Sequence, residues 1–263
     1  MSSAQGARSK ILNLVRKVVR AAGFDIVRFR KDPLTVLSRF YDDATIRTIR
    51  TVQPYTMTSP ERIAAVCEAT QYITRSNIPG AIVECGVWRG GSMMAIARTL
   101  LELGDTTRHL YLYDTFAGMT APGADDITFW EEAASTLLQA AKKEDPSSIW
   151  CYATLEAVTN ALFSVGYPRD KIHFVKGRVE ETVPATAPSR IALLRLDTDW
   201  YESTRHELVH LFPRLAKGGV LIIDDYGHWK GARKAVDEYF ANQATPLLLN
   251  RIDYSGRMAV KFD

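Results

Sequence analysis

The chain has 263 residues, of which 46% are hydrophobic, and a formal net charge of +3 at pH 7. That length is enough to bury one large core and too short to require two domains. No stretch approaches the roughly 18 to 20 uninterrupted apolar residues of a membrane-spanning helix, and the start lacks the apolar segment of a secretory signal, so we expect a cytoplasmic protein. The cysteines, Cys67, Cys85 and Cys151, have no paired spacing, which argues against a disulfide framework and a zinc site.

Positive charge is concentrated at the start of the chain. Residues 1–31 contain eight basic side chains and one acidic one, whereas the rest of the chain is acidic. Residues 9–22 place apolar side chains at helical spacing and predict a basic amphipathic helix within an N-terminal helical extension over residues 1–55. Its apolar side could pack against the following domain or a second copy in a homo-oligomer, or it could lie at the inner face of a membrane. We expect no nucleic-acid partner, because no stripe of interleaved aromatic and basic residues follows.

From residue 56 onward, helix-like and strand-like segments alternate. Ser59 suits an N-cap and Pro60 a first turn, which predicts a helix that ends near Ser76. Short apolar runs predict buried parallel strands at 81–87, 109–115, 172–178, 191–198 and 219–225, with helices at 92–103, 203–215 and 232–242. Residues 247–253 and 257–262 predict a hairpin with an antiparallel last strand. The fold class is therefore α/β, with a doubly wound, mainly parallel, Rossmann-like sheet.

About 55 residues separate the second predicted strand from the third, which is too long for a single crossover. Helices are predicted there near 129–142 and 151–165. The segment begins with glycine, alanine and proline around residues 118–123, which offer few internal hydrogen bonds. Residues 120–165 could therefore form a lid over a ligand, or the helices could simply pack on the sheet.

A glycine-rich turn lies where the first strand gives way to the next helix. Gly86 and the pair Gly90 and Gly91 let the backbone turn sharply and approach a ligand, and amides near Ser92 can bind an anionic group. The spacing differs from the G-x-G-x-x-G pattern of nicotinamide-binding folds. Glu84 before the first glycine suits a cationic amine, which S-adenosylmethionine (SAM) carries and a pyrophosphate lacks.

The ends of the next two strands add candidate contacts to adenosine. Asp114 ends the second strand, where its carboxylate could accept hydrogen bonds from both ribose hydroxyls, although a solvated strand-end aspartate is the alternative. Gly177 and Arg178 end the third strand on the same edge and could line an adenine pocket. A strand-ending glycine is also common in simple turns.

Carboxylates gather after the fourth and fifth strands. Asp197 and Asp199 follow one strand, and Asp224 and Asp225 follow the other. Adjacent like charges repel, so a bound cation explains the clustering of Asp197, Asp224 and Asp225, and oxygen-only ligands favour Mg²⁺ over zinc, with Mn²⁺ or Ca²⁺ as alternatives. Asp199 could instead cap the helix that begins near Ser203.

Such a cation would activate a hydroxyl group, because it lowers the pKa of a coordinated oxygen. A carboxylate beside the metal could then accept the proton, and Asp197 is the first candidate. His228 is the competing base, since its intrinsic pKa suits proton transfer near neutral pH, although a lone loop histidine is often incidental.

Five motifs in order connect the chain with a known family. They are 55–57 (Y-T-M), 83–92 (V-E-C-G-V-W-R-G-G-S), 114–119 (D-T-F-A-G-M), 194–204 (L-R-L-D-T-D-W-Y-E-S-T), and 223–226 (I-D-D-Y) followed by 234–239 (K-A-V-D-E-Y). From about Thr56 onward the chain resembles the macrocin O-methyltransferase family, which includes mycinamicin and novobiocin-pathway sugar O-methyltransferases. The resemblance implies the seven-stranded class I methyltransferase fold for residues 56–263.

The resemblance also implies site residues and a reaction. SAM would be the methyl donor, Mg²⁺ would bind Asp197, Asp224 and Asp225, and Asp197 would be the base. The acceptor would be a hydroxyl of a deoxysugar on a natural product, and the protein would form a homo-oligomer. The cofactor-binding candidates are Glu84, Gly86, Arg89, Gly90, Ser92, Asp114, Phe116, Gly177 and Arg178.

Two alternatives stay open at this point. A phenol or catechol O-methyltransferase would use the same cofactor and metal with a flatter pocket. A catalytically inactive SAM-fold protein could act as a membrane-associated binding module, although the intact acidic motifs argue against it. The basic N-terminal helix and the makeup of residues 121–165 depart from the family pattern, so the acceptor could also be a lipid-linked or envelope glycan.

Overall fold

The computed structural model describes residues 15–24, 40–145, 147–243 and 246–262. The chain divides into two compact units, residues 1–41 and 42–263. In the first unit, residues 15–21 are helical, as predicted, whereas 9–14 lie outside the described residues. No helix in the described ranges has the length and hydropathy to span a bilayer.

The second unit is built on a seven-stranded sheet with the order β3-β2-β1-β4-β5-β7-β6. Strands β1 to β5 are parallel, and β7 is antiparallel to both β5 and β6, which confirms the predicted fold class. The strands are β1 Ala81–Cys85, β2 Leu110–Asp114, β3 Ile172–Lys176, β4 Ile191–Leu196, β5 Leu215–Ile223, β6 Asn250–Arg251 and β7 Arg257–Val260. Strand order reverses between β1 and β4, and ligands bind at such a crevice in open α/β sheets.

Six of the eight helices that the structure describes after residue 42 form two groups around this sheet. Three of them, α1, α2 and α3, contact one another, while α6, α7 and α8 contribute to a core that includes β1, β4 and β5. The helices are α1 Asp43–Val52, α2 Pro60–Arg75, α3 Gly91–Glu102, α4 Ala134–Ala140, α5 Leu155–Ser164, α6 Val179–Thr182, α7 Tyr201–Leu211 and α8 Lys230–Ala241.

Local signals explain several helix boundaries. Ser59 caps α2 as predicted, since its Oγ accepts a hydrogen bond from the Arg62 N–H at 3.2 Å. Helix α7 ends at Leu211, four residues earlier than predicted from the apolar pattern, because Pro213 forms a tight 3₁₀ turn and β5 begins at Leu215. Helix α1, capped by Asp42, lies in the second unit, and its sequence position falls within residues 1–55.

The insertion between β2 and β3 is attached to the loops that follow β4 and β5. Thr128 forms a β-bridge with Trp229, and the Phe129 N–H donates to the His228 carbonyl at 2.8 Å. These bonds keep residues 129–133 out of helix, so α4 begins at Ala134 and is shorter than predicted. Helix α4 then packs against Trp200 and Trp229. A lid role for residues 120–165 stays a prediction.

Candidate active site

A cavity of about 450 Å³ lies at the carboxyl ends of the parallel strands. It brings together the glycine-rich turn, the end of β2 and the acids that follow β4 and β5. The predicted site residues that line it are Gly86, Ser92, Asp114, Gly177, Arg178, Asp197, Asp224, Asp225 and His228. The sequence motifs therefore converge on one cavity.

Gly86 lies where the ends of β1 and β4 meet. Its φ is +81°, and a Cβ atom built there would lie 1.8 Å from the Asp197 carbonyl oxygen. On the same pair of strands, the Asp197 N–H donates to the Cys85 carbonyl at 2.9 Å. Only glycine fits this approach, so the turn and the position of Asp197 depend on each other.

Arg89, Gly90 and Phe116, like Glu84, are not among the described residues that line the cavity, and their contact with SAM stays a prediction. Arg89 has its guanidinium over the Trp88 ring, 4.7 Å from the centroid. A Cβ atom at Gly90 would lie 2.5 Å from the Leu162 side chain, so this glycine permits the packing of α5. Phe116 is buried, with its ring edge-to-face to Phe174. None of the three lines the cavity in the described part of the chain.

Asp114 is oriented by the backbone of the glycine-rich turn. Its Oδ2 accepts hydrogen bonds from the Val87 N–H at 2.7 Å and the Trp88 N–H at 2.9 Å, and its Oδ1 accepts from the Phe116 N–H at 2.7 Å. Burial raises the pKa of Asp114, and these three bonds oppose that shift. A further bond reaches Oδ1 from the Thr115 hydroxyl at 3.5 Å, and contact of Asp114 with the ribose hydroxyls of SAM stays a prediction.

Glu84, predicted to face the amine of SAM, is paired with Arg195. The Arg195 Nη1 donates to Glu84 Oε1 at 2.6 Å, and both side chains are 1% exposed. Glu84 does not line the cavity, although its Oε2 has no hydrogen-bond partner among the described residues. Burial raises the pKa of Glu84 to about 7 against the opposing charge of Arg195. An amine contact by this residue stays a prediction.

Two arginines that the sequence reasoning did not assign hold the acidic cluster. Arg195 also donates to Asp197 Oδ2 at 2.6 Å and to Asp224 Oδ1 at 2.5 Å. Arg62 on α2 pairs with Asp224 and, at 2.9 Å, with Asp253. The signal in the sequence was a lone arginine inside the apolar run of β4, since a charge in a buried strand requires partners.

The three predicted metal ligands are close enough to share an ion. One carboxylate oxygen from each of Asp197, Asp224 and Asp225 lies within 4.8 Å of the others. Counted with Glu84, Asp199 and Asp253, six carboxylates lie around the two guanidiniums, so a formal charge of −4 remains if all six are ionised. Burial and mutual repulsion accordingly raise the pKa values of Asp197 and Asp225 well above their usual range.

Asp199 is not the helix cap that its position suggested. The N-cap of α7 is Trp200, which makes no capping side-chain bond. Asp199 has a φ of +66°, lines the cavity, and donates its N–H to Asp225 Oδ2 at 3.2 Å. Burial and the charge of Asp197 raise the pKa of Asp199 to about 7. In the described part of the chain, no basic side chain forms an ion pair with it.

His228 lines the cavity beside Tyr254. The distance from His228 Nδ1 to the Tyr254 hydroxyl is 3.2 Å. Burial, and the charge of Arg62, lower the pKa of His228, so the imidazole is neutral near pH 7. A neutral imidazole donates a hydrogen bond from one ring nitrogen and accepts one at the other.

Comparison with known proteins identifies the family of this site. The family model described as Macrocin-O-methyltransferase (TylF) matches residues 16–261. The chain belongs to this family. One relative, the 8-demethyl-8-(2,3-dimethoxy-alpha-L-rhamnosyl)-tetracenomycin-C 4'-O-methyltransferase of Streptomyces olivaceus, is 31% identical over 96% of this chain and 92% of that protein. Mycinamicin III 3''-O-methyltransferase of Micromonospora griseorubida is 33% identical over 70% of each chain.

Solved structures agree with the family assignment. The O-methyltransferase NovP superposes with a TM-score of 0.69 at 27% sequence identity, covering 80% of this chain and 83% of that one. The calicheamicin methyltransferase CalS11, at 19% identity and a TM-score of 0.57, shares the fold. The chain is therefore a SAM-dependent O-methyltransferase with the class I fold, and the cavity at the β1 and β4 crevice is its candidate active site.

Proposed function

We propose that this enzyme transfers the methyl group of SAM to a hydroxyl group of a sugar in a glycosylated natural product or glycan, and that it uses Mg²⁺. The observation that carries the proposal is the clustering of Asp197, Asp224 and Asp225 in the same cavity as the glycine-rich turn. Two relatives support a sugar acceptor, since one name places the reaction on a rhamnosyl-bearing compound and the other at a 3'' position. No feature of the cavity favours a phenol or catechol over a sugar.

The acidic cluster has the composition of a Mg²⁺ site. All three side chains offer oxygen, which is the ligand atom that Mg²⁺ prefers. Arg62 and Arg195 each use one lone pair of an Asp224 oxygen, and each oxygen has a second. Asp225 forms no ion pair with the described arginines. A cation bound here would act as a Lewis acid that lowers the pKa of an adjacent hydroxyl.

Asp199 is the better candidate for the base than Asp197, the residue chosen from sequence. Asp197 is held by Arg195 at 2.6 Å and belongs to the proposed ligand set, so its lone pairs are largely committed. Asp199 lines the same cavity next to Asp225 without an arginine partner in the described ranges. We assign Asp199 to accept the proton of the reacting hydroxyl, and His228, paired with Tyr254, to contact the acceptor.

The remaining side chains would hold the methyl donor. Gly86 and the first turn of α3, which includes Ser92, would present backbone amides to it, and Asp114 would contact the ribose. Gly177 and Arg178 would flank the adenine ring. Self-association and membrane contact through residues 9–22 stay predictions.

The test is methyl transfer from radiolabelled SAM to glycosides of L-rhamnose, L-fucose and D-glucose. We expect transfer that EDTA abolishes and Mg²⁺ restores. Asp224→Asn should lose nearly all transfer while still binding SAM, whereas Asp170→Asn, a carboxylate 73% exposed outside the cavity, should retain it. Full activity in metal-free buffer would contradict the metal, and transfer to catechols alone would contradict the sugar.

A further inference from the structure

An exposed group of aromatic side chains continues the cavity outward. We name Phe129, Trp130, His228 and Tyr254 the aromatic rim. His228 and Tyr254 line the cavity, whereas Phe129 and Trp130 lie beyond that lining and are 62% and 61% exposed. Large apolar rings left this open to solvent, adjoining a binding cavity, mark a ligand surface.

The rings of the aromatic rim contact one another at steep angles. Trp130 lies 5.6 Å from His228 at 69° and 6.4 Å from Tyr254 at 46°, and Phe129 lies 6.2 Å from Trp130 at 85°. Edge-to-face and tilted contacts cover fewer ring faces than stacked pairs do. The open faces can therefore receive a flat, apolar group.

Backbone bonds hold the aromatic rim in place before any ligand binds. The Phe129 N–H donates to the His228 carbonyl at 2.8 Å, and Thr128 forms a β-bridge with Trp229. Glu131 forms an ion pair with Lys230 on α8. A surface fixed in this way loses little entropy when a ligand docks, so its rings add to affinity.

The position of the reacting groups decides which part of the acceptor reaches the aromatic rim. The hydroxyl to be methylated must lie near Asp197 and Asp199, inside the cavity, so the sugar that carries it occupies the inner part. A group attached to that sugar can leave the cavity past His228 and Tyr254, which line it. It then meets Trp130 and Phe129.

We propose that the aromatic rim binds a planar, apolar aglycone attached to the sugar that is methylated. This inference rests on the proposed function and names its substrate class more closely. A membrane is disfavoured as the occupant, because the exposed acid Glu132 adjoins the rim and would repel an anionic surface, while the charge of Lys230 is already paired with Glu131. Four side chains are also too few for a stable protein interface.

The experiment compares matched glycosides that differ in the aglycone. Dissociation constants are measured by calorimetry, with S-adenosylhomocysteine and Mg²⁺ present, for p-nitrophenyl and methyl glycosides of L-rhamnose, L-fucose and D-glucose. For the wild type we expect the p-nitrophenyl member of a pair to bind about tenfold more tightly. Trp130→Ala should lose that advantage and leave methyl glycoside binding unchanged. Phe262→Ala, which removes another ring that is 62% exposed, should keep it.

The outcomes separate this inference from the proposed function. Equal affinity within every pair, or an advantage that survives Trp130→Ala, overturns the role of the aromatic rim and leaves sugar methylation standing. Tight p-nitrophenyl binding with no methyl transfer to any glycoside contradicts the proposed function and supports the rim. A third outcome would assign the rim to lipid and overturn the inference. In that outcome the wild type shows no aglycone preference but sediments with phosphatidylcholine and phosphatidylglycerol vesicles, whereas Trp130→Ala does not sediment with them.

Discussion

Glu84 on β1 and Arg195 on β4 are register partners in neighbouring parallel strands, and their side chains form a 2.6 Å ion pair with each residue 1% exposed. The pair lies directly beneath the acidic cluster, because Arg195 also contacts Asp197 and Asp224. A guanidinium with three carboxylate partners is the arrangement in which a buried charge is tolerated. Arg195 thereby fixes two of the proposed metal ligands before any ion binds.

Replacement of Arg195 by methionine should strongly destabilise the fold. The change leaves Glu84, Asp197 and Asp224 without their shared cation, and the expected loss in free energy of unfolding is about 3–5 kcal/mol. Urea unfolding near neutral pH measures it. Arg233→Met removes an ion pair with Asp237 in which the two side chains are 57% and 50% exposed. Its loss in free energy of unfolding should be below about 1 kcal/mol. Comparable losses for both variants would contradict the structural role of Arg195.

Asp199→Asn should lower kcat by about 10²–10⁴-fold, because the amide cannot accept the hydroxyl proton. The variant should still bind SAM and should still gain thermal stability from Mg²⁺, whereas Asp197→Asn should lose that gain. In the wild type, kcat/KM should fall as the pH drops below the pKa of the base, which is about 7 without a bound cation and lower with one. An active Asp199→Asn enzyme with an unchanged pH profile would return the role to Asp197 or His228.

Stabilisation by Mg²⁺ should grow with pH. Burial raises the folded-state pKa values of Asp197 and Asp225, and raises that of Asp199 to about 7, so the native state binds more protons than the unfolded state above about pH 4. The metal-free protein should therefore lose stability as pH rises toward 7. Mg²⁺ replaces those protons, so its effect on Tm should be small near pH 5 and large near pH 8. A pH-independent shift would place the ion elsewhere.

Gly86→Ala should disrupt the active site far more than Gly104→Ala. Both glycines have positive φ, +81° and +72°, so the conformational strain of a side chain is similar. At Gly104 nothing lies within 4 Å of the added Cβ, whereas at Gly86 it would meet the Asp197 carbonyl. We expect Gly86→Ala to abolish SAM binding in calorimetry and to lower Tm well below that of Gly104→Ala. Equal behaviour would mean that β1 and β4 can separate without cost.

Much of the fold could be predicted because the signals are local. Uninterrupted apolar runs indicate strands buried on both faces, and the Ser59 cap and the glycines at 86, 90 and 91 mark element boundaries within a few residues. Parallel strands place their carboxyl ends at one edge, so the convergence of Asp114, the acids after β4 and β5, and the glycine-rich turn followed from the sequence.

The partners of individual side chains followed only from the tertiary structure. Apolar periodicity reports which residues are buried, but it carries no information on which charge meets which across a sheet. Arg195 could be recognised as a residue needing partners, yet strand register selected Glu84, and the position of α2 brought Arg62 to Asp224. In the same way, only the tertiary structure shows that Gly90 packs against Leu162 and Phe116 against Phe174.

The sequence by itself determined the methyltransferase fold, the glycine-rich turn and the acidic edge, because each depends on residues close together in the chain. Tertiary packing decided that Asp199, and not only Asp197, faces the cavity, and that rings from residues 129–130, 228 and 254 meet at its outer end. These contacts join residues up to 124 positions apart, as in Trp130 and Tyr254, and their geometry is set by how the insertion bonds to the loop after β5.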